Sequence, residues 1–114
     1  MEDKSQELIS VSMKIIMSAG NARNYADEAF ECAKKADFTK ASKNMELAHK
    51  EITEAHNSQT HIIQSEASGV DYKYSPLFAH AQDTLMTISS EINCDEKLIE
   101  LLKIFLSRKE DSNE

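Results

Sequence analysis

The segment Ser75 to Thr87, SPLFAHAQDTLMT, places an imidazole among polar side chains inside an otherwise apolar helical stretch. On a helix, His80 lies on the same side as Asp83 and Thr84, about 100° from the centre of the apolar stripe. It therefore occupies the edge between core and solvent, where a partner can reach it. Because histidine titrates near neutral pH, a side chain in this position can act as a nucleophile, a base or a metal ligand.

The residues around His80 limit the kinds of reaction that this side chain can support. The sequence shows no Gly-rich phosphate loop there, no Ser or Cys nucleophile beside a base, and no second acid to complete a hydrolase site. Pro76 is predicted to be the first helical residue, so the helix dipole and free backbone N–H groups nearby favour an anion such as phosphate. A lone accessible imidazole of this kind is suited to reversible phosphorylation on nitrogen.

The other histidines are weaker candidates for a functional site. His49 follows Glu46 in a Glu-x-x-His pair, a spacing used by di-iron centres in helical bundles. Such a centre needs a second pair and two further glutamates, and the sequence has no second copy. A metal bundle at this pair remains an alternative that would require stoichiometric transition metal. His56 is predicted to be solvated or hydrogen-bonded, and His61 is predicted to lie on the surface.

Composition favours one small helical domain. The chain has 114 residues, with only 2 Gly and 1 Pro, so turns must be few and the elements long. A net charge of -7 argues against binding to nucleic acid or to an anionic membrane surface. No apolar run approaches the length of a membrane span, so direct membrane insertion is not expected. Cys32 and Cys94 lack metal or redox spacing, which favours reduced thiols in the cytoplasm.

Apolar residues recur at alternating three- and four-residue steps in three segments, at about 5–36, 38–67 and 76–107. Asp37 is predicted to cap the second helix and Ser68-Gly69 to end it, while Ser75-Pro76 begins the third. Short connections between long helices predict an antiparallel three-helix bundle, with residues 1–114 forming a single all-α domain.

Several local features depart from regular helix patterns. Gly20 predicts a kink or a very close contact in the first helix. Gln59 occupies a core position and predicts a polar contact inside the bundle. The polar run from Asn93 to Glu96 predicts a bend, and the tail from Arg108 to Glu114 is expected to fray. Apolar residues outside the stripes suggest self-association through a second face: Ile9, Ile16, Tyr25, Phe30, Met86 and Ile104.

Three stretches carry a resemblance to a known family: SAGNARNYADEAF, ITEAHNSQTHIIQSEASG and LFAHAQDTLMT. They resemble the lactose/cellobiose-specific IIA component of the bacterial phosphoenolpyruvate:sugar phosphotransferase system, over nearly the whole chain. The resemblance implies a three-helix bundle that assembles as a homotrimer. It also implies a cytoplasmic phosphotransferase component that takes part in sugar transport.

The resemblance assigns roles to three residues of the third helix. His80 would accept a phosphoryl group from the histidine-containing phosphocarrier protein and pass it to a cysteine of a IIB component. Three Asp83 carboxylates, one from each subunit, would together bind one Mg²⁺ on the threefold axis, since converging carboxylates repel one another without a cation. Gln82 would help to position His80 or its phosphate. The transported sugar would be a β-linked disaccharide such as cellobiose, chitobiose or lactose.

Thr84 departs from the family pattern, which usually has histidine directly after the aspartate. Threonine keeps a hydroxyl but lacks the ring nitrogen and any positive charge. This difference supports an alternative hypothesis, in which the chain is a structural or regulatory helical trimer that has lost onward phosphotransfer.

Overall fold

This computed structural model describes residues 4–112, which form three long helices joined by two short connections. Helix α1 spans Lys4–Lys34, α2 spans Phe38–Ala67 and α3 spans Pro76–Ser112. The bundle measures 69 × 20 × 19 Å. Glu7 meets His61 at one end of α1 and α2, and Cys32 meets Ala41 at the other, so these helices are antiparallel. The predicted all-α fold of three helices is confirmed.

The helix ends follow the local rules that the sequence suggests. The Asp37 side chain accepts a hydrogen bond from the Lys40 backbone N–H at 3.1 Å and so caps α2. At the other end of α2, Ser68 is the C-cap and Gly69 adopts a φ of 108°. A side chain with a Cβ rarely adopts this angle, so glycine is the residue that lets the chain leave the helix.

Helix α1 lies against both other helices, whereas α2 and α3 contact each other much less. The face that makes this possible is a row of small residues, which lets neighbouring backbones approach closely. Most of this row is alanine, and all of the alanines are fully buried: Ala19, Ala22, Ala26, Ala29 and Ala33. Between α2 and α3, His49 Nε2 lies 2.6 Å from Glu96 Oε2 and links the two helices across their open side.

Two of the helices are more continuous than the sequence suggests, whereas the predicted kink at Gly20 and bend near Asn93 stay predictions. Helix α1 continues through Gly20. Apart from the neighbouring backbone of the same helix, no atom of the described residues lies within 4 Å of the position of an added Cβ, so the predicted close contact is not made among them. Helix α3 continues through Asn93–Glu96 and extends to Ser112 rather than ending near Arg108. Lys, Glu and Arg have high helix propensity, and basic residues suit a helix C-terminus, which explains the longer helix. Asn113 and Glu114, also predicted to fray, lie outside the described residues.

The predicted polar contact of Gln59 is not formed. Its side chain is only partly buried and makes no hydrogen bond with the described residues. A partly buried amide stays within reach of solvent, so α2 tolerates it at the margin of the core.

The bundle leaves apolar side chains uncovered, as the sequence suggests. Ile9, Met86 and Ile104 are exposed, whereas Ile16, Tyr25 and Phe30 are partly buried. In residues 4–112, none of the helices combines the length and the hydropathy that crossing a membrane requires. Exposed apolar side chains of this kind are often covered by another protein surface.

Substituting Gly20→Ala tests the account of α1. The space around Gly20 is open, so the alanine is expected to raise the free energy of unfolding by about 0.5–1 kcal/mol through helix propensity alone. The matched variant Gly69→Ala is expected to lower it by about 1 kcal/mol, because its φ is positive. Both are measured by denaturant unfolding at equal protein concentration. A less stable Gly20→Ala variant would contradict the open environment.

Candidate functional site

Ser75 fixes the first turn of α3, which carries His80 in the next turn. The Ser75 hydroxyl oxygen accepts a hydrogen bond from the Phe78 backbone N–H at 3.1 Å, and the Ser75 carbonyl accepts one from the Ala79 N–H at 3.1 Å. These bonds confirm Ser75-Pro76 as the predicted start of the helix. The sequence predicted that free backbone N–H groups at this helix start could bind an anion. The N–H groups of Phe78 and Ala79 already donate to Ser75, so that prediction is wrong at these two residues.

His80 stands on the solvent side of this turn. The next residue, Ala81, is fully buried and packs with Leu85, Ile15 and Ala55 in one core cluster. His80 itself is exposed and makes no hydrogen bond or ion pair with the described residues. The helix is therefore anchored on its inner face while both ring nitrogens of the imidazole remain available.

The other predicted site residues divide between two faces of α3. Asp83 is exposed and lies one turn beyond His80 on the same face, and Thr84 beside it is partly buried. Gln82 is partly buried and lines a cavity of 210 Å³ on the side of α2, together with Ile62. Residues two positions apart on a helix do not face each other, so Gln82 does not meet His80 within the chain.

A polar cluster beneath the loop before α3 was not found by sequence reasoning. Glu7 Oε1 lies 3.1 Å from His61 Nε2 and accepts a hydrogen bond from the Tyr72 hydroxyl at 3.3 Å. The predicted surface position of His61 is correct, but its partner was not foreseen. The one sequence feature that could have indicated this cluster is a tyrosine in a polar loop. Its partner Glu7 lies 65 residues away, so the spacing of residues does not reveal the contact.

Two further groups of charged side chains join the helices. Arg23 of α1 forms an ion pair with Glu91 of α3 at 2.9 Å. Burial, followed by the nearby charges of Glu91 and Asp27, raises the pKa of Asp95. His49 pairs with Glu96 rather than with Glu46. Within residues 4–112, no group of three or more His, Cys, Asp or Glu side chains is placed to hold a metal ion.

Both cysteines are free thiols. Cys32 is buried at the end of α1, and burial, reinforced by the charges of Glu28 and Asp37, raises the pKa of its thiol. Cys94 is exposed on α3. A raised pKa makes Cys32 a poor nucleophile, so it contributes to packing rather than to chemistry.

Comparison with known proteins gives the family. The sequence model described as "PTS system, Lactose/Cellobiose specific IIA subunit" matches residues 10–103, which include all of the site residues on α3 discussed above. The chain belongs to this family. It is thus a IIA component of the lactose/cellobiose type in a sugar phosphotransferase system, as the sequence resemblance indicated.

Relatives of this IIA component are named for different sugars. It is 36% identical over 98 residues to the PTS system lactose-specific EIIA component of Lacticaseibacillus casei, covering 86% of this chain and 88% of that protein. The crystal structure of the PTS cellobiose-specific enzyme IIA from Bacillus anthracis matches with a TM-score of 0.83 and 34% identity, covering 94% and 95% of the two chains.

A third relative was solved with a partner. The solution structure of the IIA(Chitobiose)–HPr complex from the N,N'-diacetylchitobiose branch of the Escherichia coli phosphotransferase system matches with a TM-score of 0.77. Its identity to this IIA component is 33%, and the match covers 92% of this chain and 98% of that one. The fold of the present chain is therefore the fold of this family along almost its whole length.

The capping role of Ser75 can be tested by Ser75→Ala. Losing the side-chain acceptor for the Phe78 N–H is expected to lower the free energy of unfolding by about 1 kcal/mol. The matched control is Ser42→Ala, an exposed position within α2 where alanine favours the helix. Denaturant unfolding measures both variants. Equal or greater stability of Ser75→Ala would show that the hydroxyl does not cap α3.

Proposed function

We propose that this IIA component carries a phosphoryl group on His80 between two proteins of a sugar phosphotransferase system. The observation that supports this most directly is an exposed imidazole that makes no hydrogen bond or ion pair among the described residues. It stands on a helix whose first turn is capped and whose inner face is buried. An imidazole in this state is free to act as a nucleophile. The helix below it, anchored by its buried inner face, holds the ring while a partner docks.

Each transfer exchanges one bond to phosphorus for another. A neutral ring nitrogen of His80 attacks the phosphorus of the donor phosphohistidine, and the donor P–N bond breaks, returning its electron pair to the donor imidazole. A cysteine thiolate of the acceptor then attacks the same phosphorus, and the bond to His80 breaks. The chain contributes the nucleophile and its position, and neither step needs an oxidant or a bound cofactor.

The partners follow from this chemistry and from the relatives. A solution structure of the chitobiose relative contains HPr, the histidine-containing phosphocarrier protein, which supports the same kind of donor for this chain. The acceptor is a IIB component, and we place the exchange in the cytoplasm. The sugar is a β-linked disaccharide, a class consistent with the lactose, cellobiose and chitobiose named in the relatives. The IIA component does not contact it.

Assembly as a homotrimer is supported by the outer face of α3. Downstream of Asp83, this face carries Leu98, Leu101 and Phe105, whose exposed fractions are 48%, 49% and 59%. Their steps of three and four residues are those of a coiled-coil seam, which buries such side chains between parallel helices. Copies of α3 packed along this face would cover these apolar residues, which the monomer leaves open.

In such a trimer, Asp83 would hold one Mg²⁺ at the axis. Asp83 is an exposed carboxylate without an ion pair among the described residues, and it lies on the same outer face as the apolar seam. One carboxylate per chain is too few for a site within a monomer, but three converging oxygen ligands suit this hard cation. The ion would offset the repulsion among the carboxylates.

We assign Gln82 a positioning role that acts through the backbone of α3.

The substitution His80→Ala tests the carrier function. Wild-type protein incubated with phosphoenolpyruvate and the two general phosphotransferase proteins is expected to gain acid-labile phosphate, and His80→Ala is expected to gain none. The matched control is His56→Ala, an exposed histidine on α2, which is expected to behave as wild type. Radiolabelled phosphate on the purified chain provides the measurement. Labelling that persists in His80→Ala would reject this assignment.

Onward transfer distinguishes the carrier from the alternative of a structural or regulatory trimer. The labelled wild-type protein is mixed with candidate IIB proteins, and loss of label from His80 is followed over time. Transfer to a IIB cysteine supports the carrier. Uptake without transfer to any of them favours the alternative. Thr84→His, which restores the residue usual in the family, is then used to test whether transfer to IIB is regained.

Removing divalent metal tests the role of Asp83. Chelation by EDTA is expected to lower the thermal midpoint of the wild-type assembly, because the carboxylates then repel one another. Asp83→Asn removes that repulsion and should make the midpoint insensitive to EDTA. Glu100→Gln, an exposed change on the same helix, is the control and should respond as wild type. A wild-type trimer that EDTA leaves unchanged would argue against a metal ion on the axis.

A further inference from the structure

The segment that leads into α3 has few attachments of its own. After α2, the backbone N–H groups of Ser68, Gly69 and Val70 bond to carbonyls of the last turn of that helix. From Asp71 to Tyr74, the described chain makes no backbone hydrogen bond. The course of this segment must therefore be set by side chains.

Packing beneath the segment is also incomplete. A cavity of 210 Å³ that is open to solvent lies between the segment and the helices. Its walls include Tyr72, Ser75 and, on the first two turns of α3, Phe78 and Gln82. Where this cavity lies, the segment does not pack directly against the bundle and gains no dispersion contacts from it. The same cavity borders the two turns that present His80 on their other side.

Glu7 supplies the missing attachment. Its Oε1 atom receives the Tyr72 hydroxyl and the His61 ring nitrogen, and its Oε2 atom lies 3.3 Å from Lys4 Nζ. One carboxylate thus joins α1, α2 and the segment before α3. Hydrogen bonding by His61, the largest cause, followed by Lys4 and Tyr72 against an opposing effect of burial, lowers the pKa of Glu7. The acceptor stays ionised, and hydrogen bonds to ionised acceptors are the stronger kind.

We propose that Glu7 and Tyr72 act as positioning residues for His80: their hydrogen bond fixes the segment from Asp71 to Ser75 and thereby the first turns of α3. This inference rests on the proposed function, in which His80 is the phosphoryl acceptor. Neither residue touches the reacting atoms. Their effect passes from Tyr72 to the Ser75 cap three residues later, and from that cap to the turn that carries the imidazole.

Positioning of this kind affects transfer because in-line attack requires the ring nitrogen to stay aligned with the donor phosphorus. When the Tyr72 hydroxyl is lost, the segment opens locally while the rest of the bundle stays folded. The fraction of time in which His80 is aligned then falls. Binding of the donor protein, which depends on a much larger surface, is affected less than the transfer step.

The experiment compares Tyr72→Phe, Glu7→Ala and the double variant with Tyr74→Phe. Tyr74 lies in the same segment, is 84% exposed and makes no hydrogen bond with the described residues, so it is the matched control. Amide hydrogen exchange is measured across residues 70–79, with residues 45–60 as an internal reference. Phosphoryl uptake from the phosphorylated donor protein is measured over a range of donor concentrations.

For Tyr72→Phe, exchange across residues 70–79 is expected to rise by about three- to tenfold, as loss of one hydrogen bond predicts. The maximal rate of uptake should fall by about the same factor, whereas the half-saturating donor concentration should stay within about twofold. Glu7→Ala also loses the contacts with His61 and Lys4, so it should act at least as strongly. The double variant should be little worse than Glu7→Ala, because the hydrogen bond between Glu7 and Tyr72 is already lost there. Tyr74→Phe should match the wild type.

Four results would overturn the proposal. These are unchanged exchange in Tyr72→Phe, faster exchange with unchanged uptake, a larger half-saturating donor concentration at an unchanged maximal rate, and an equal effect in Tyr74→Phe. A wild-type chain that takes up no phosphoryl group would reject the proposed function as well. The experiment thus distinguishes the two failures. No uptake by the wild type rejects the proposed function, whereas normal uptake by the wild type with unchanged variants rejects only the positioning role.

Discussion

The row of alanines on α1 is the constraint on which the rest of the bundle depends. Side chains of this size let α1 approach α2 and α3 at once, and they bury completely in doing so. The two outer helices, in contrast, meet each other sparsely and are linked there by the pair of His49 and Glu96. Because α1 occupies the middle, a full side of α3 is left free. A larger residue in the row would push the helices apart and alter that arrangement.

The site on α3 is a consequence of this arrangement. Ala81 and Leu85 bind the helix to the core, and the preceding residue, His80, consequently points to solvent. A core residue beside an exposed imidazole anchors the helix without enclosing the ring, which suits the carrier role that we propose. The segment before the helix has few contacts of its own, and the hydrogen bond of Tyr72 to Glu7 joins it to α1.

Much of the fold was predictable because its determinants are local. The spacing of Ala19, Ala22, Ala26 and Ala29 predicts a buried helical face, and Asp37 and Ser75 predict the helix starts that the structure confirms. The solvent-facing position of His80 follows from the angle between it and the apolar stripe. The family resemblance is confirmed as well. The roles of His80, Asp83 and Gln82, the trimer and its metal ion stay predictions, since they depend on other chains or on chemistry that one chain does not display.

What sequence reasoning missed depends on three-dimensional arrangement. Gly20 suggested a close neighbour, but its surroundings among the described residues are open. The run from Asn93 to Glu96 is polar yet helical, with its first two residues exposed and its last two partly buried. Glu7 and Tyr72 meet only because the connection after α2 folds back over α1. No periodicity encodes such a contact.

The length of α3 has a consequence for how the protein works among its partners. At 37 residues it extends about 55 Å, and the imidazole that we propose as phosphoryl acceptor lies within its first two turns. The exposed apolar residues Leu98, Leu101 and Phe105 lie several turns further along the helix. In the proposed trimer, the contacts between subunits and the encounters with donor and acceptor would therefore use separate stretches of the same helix. Partners would then be exchanged at one end while the subunits stay associated along the other.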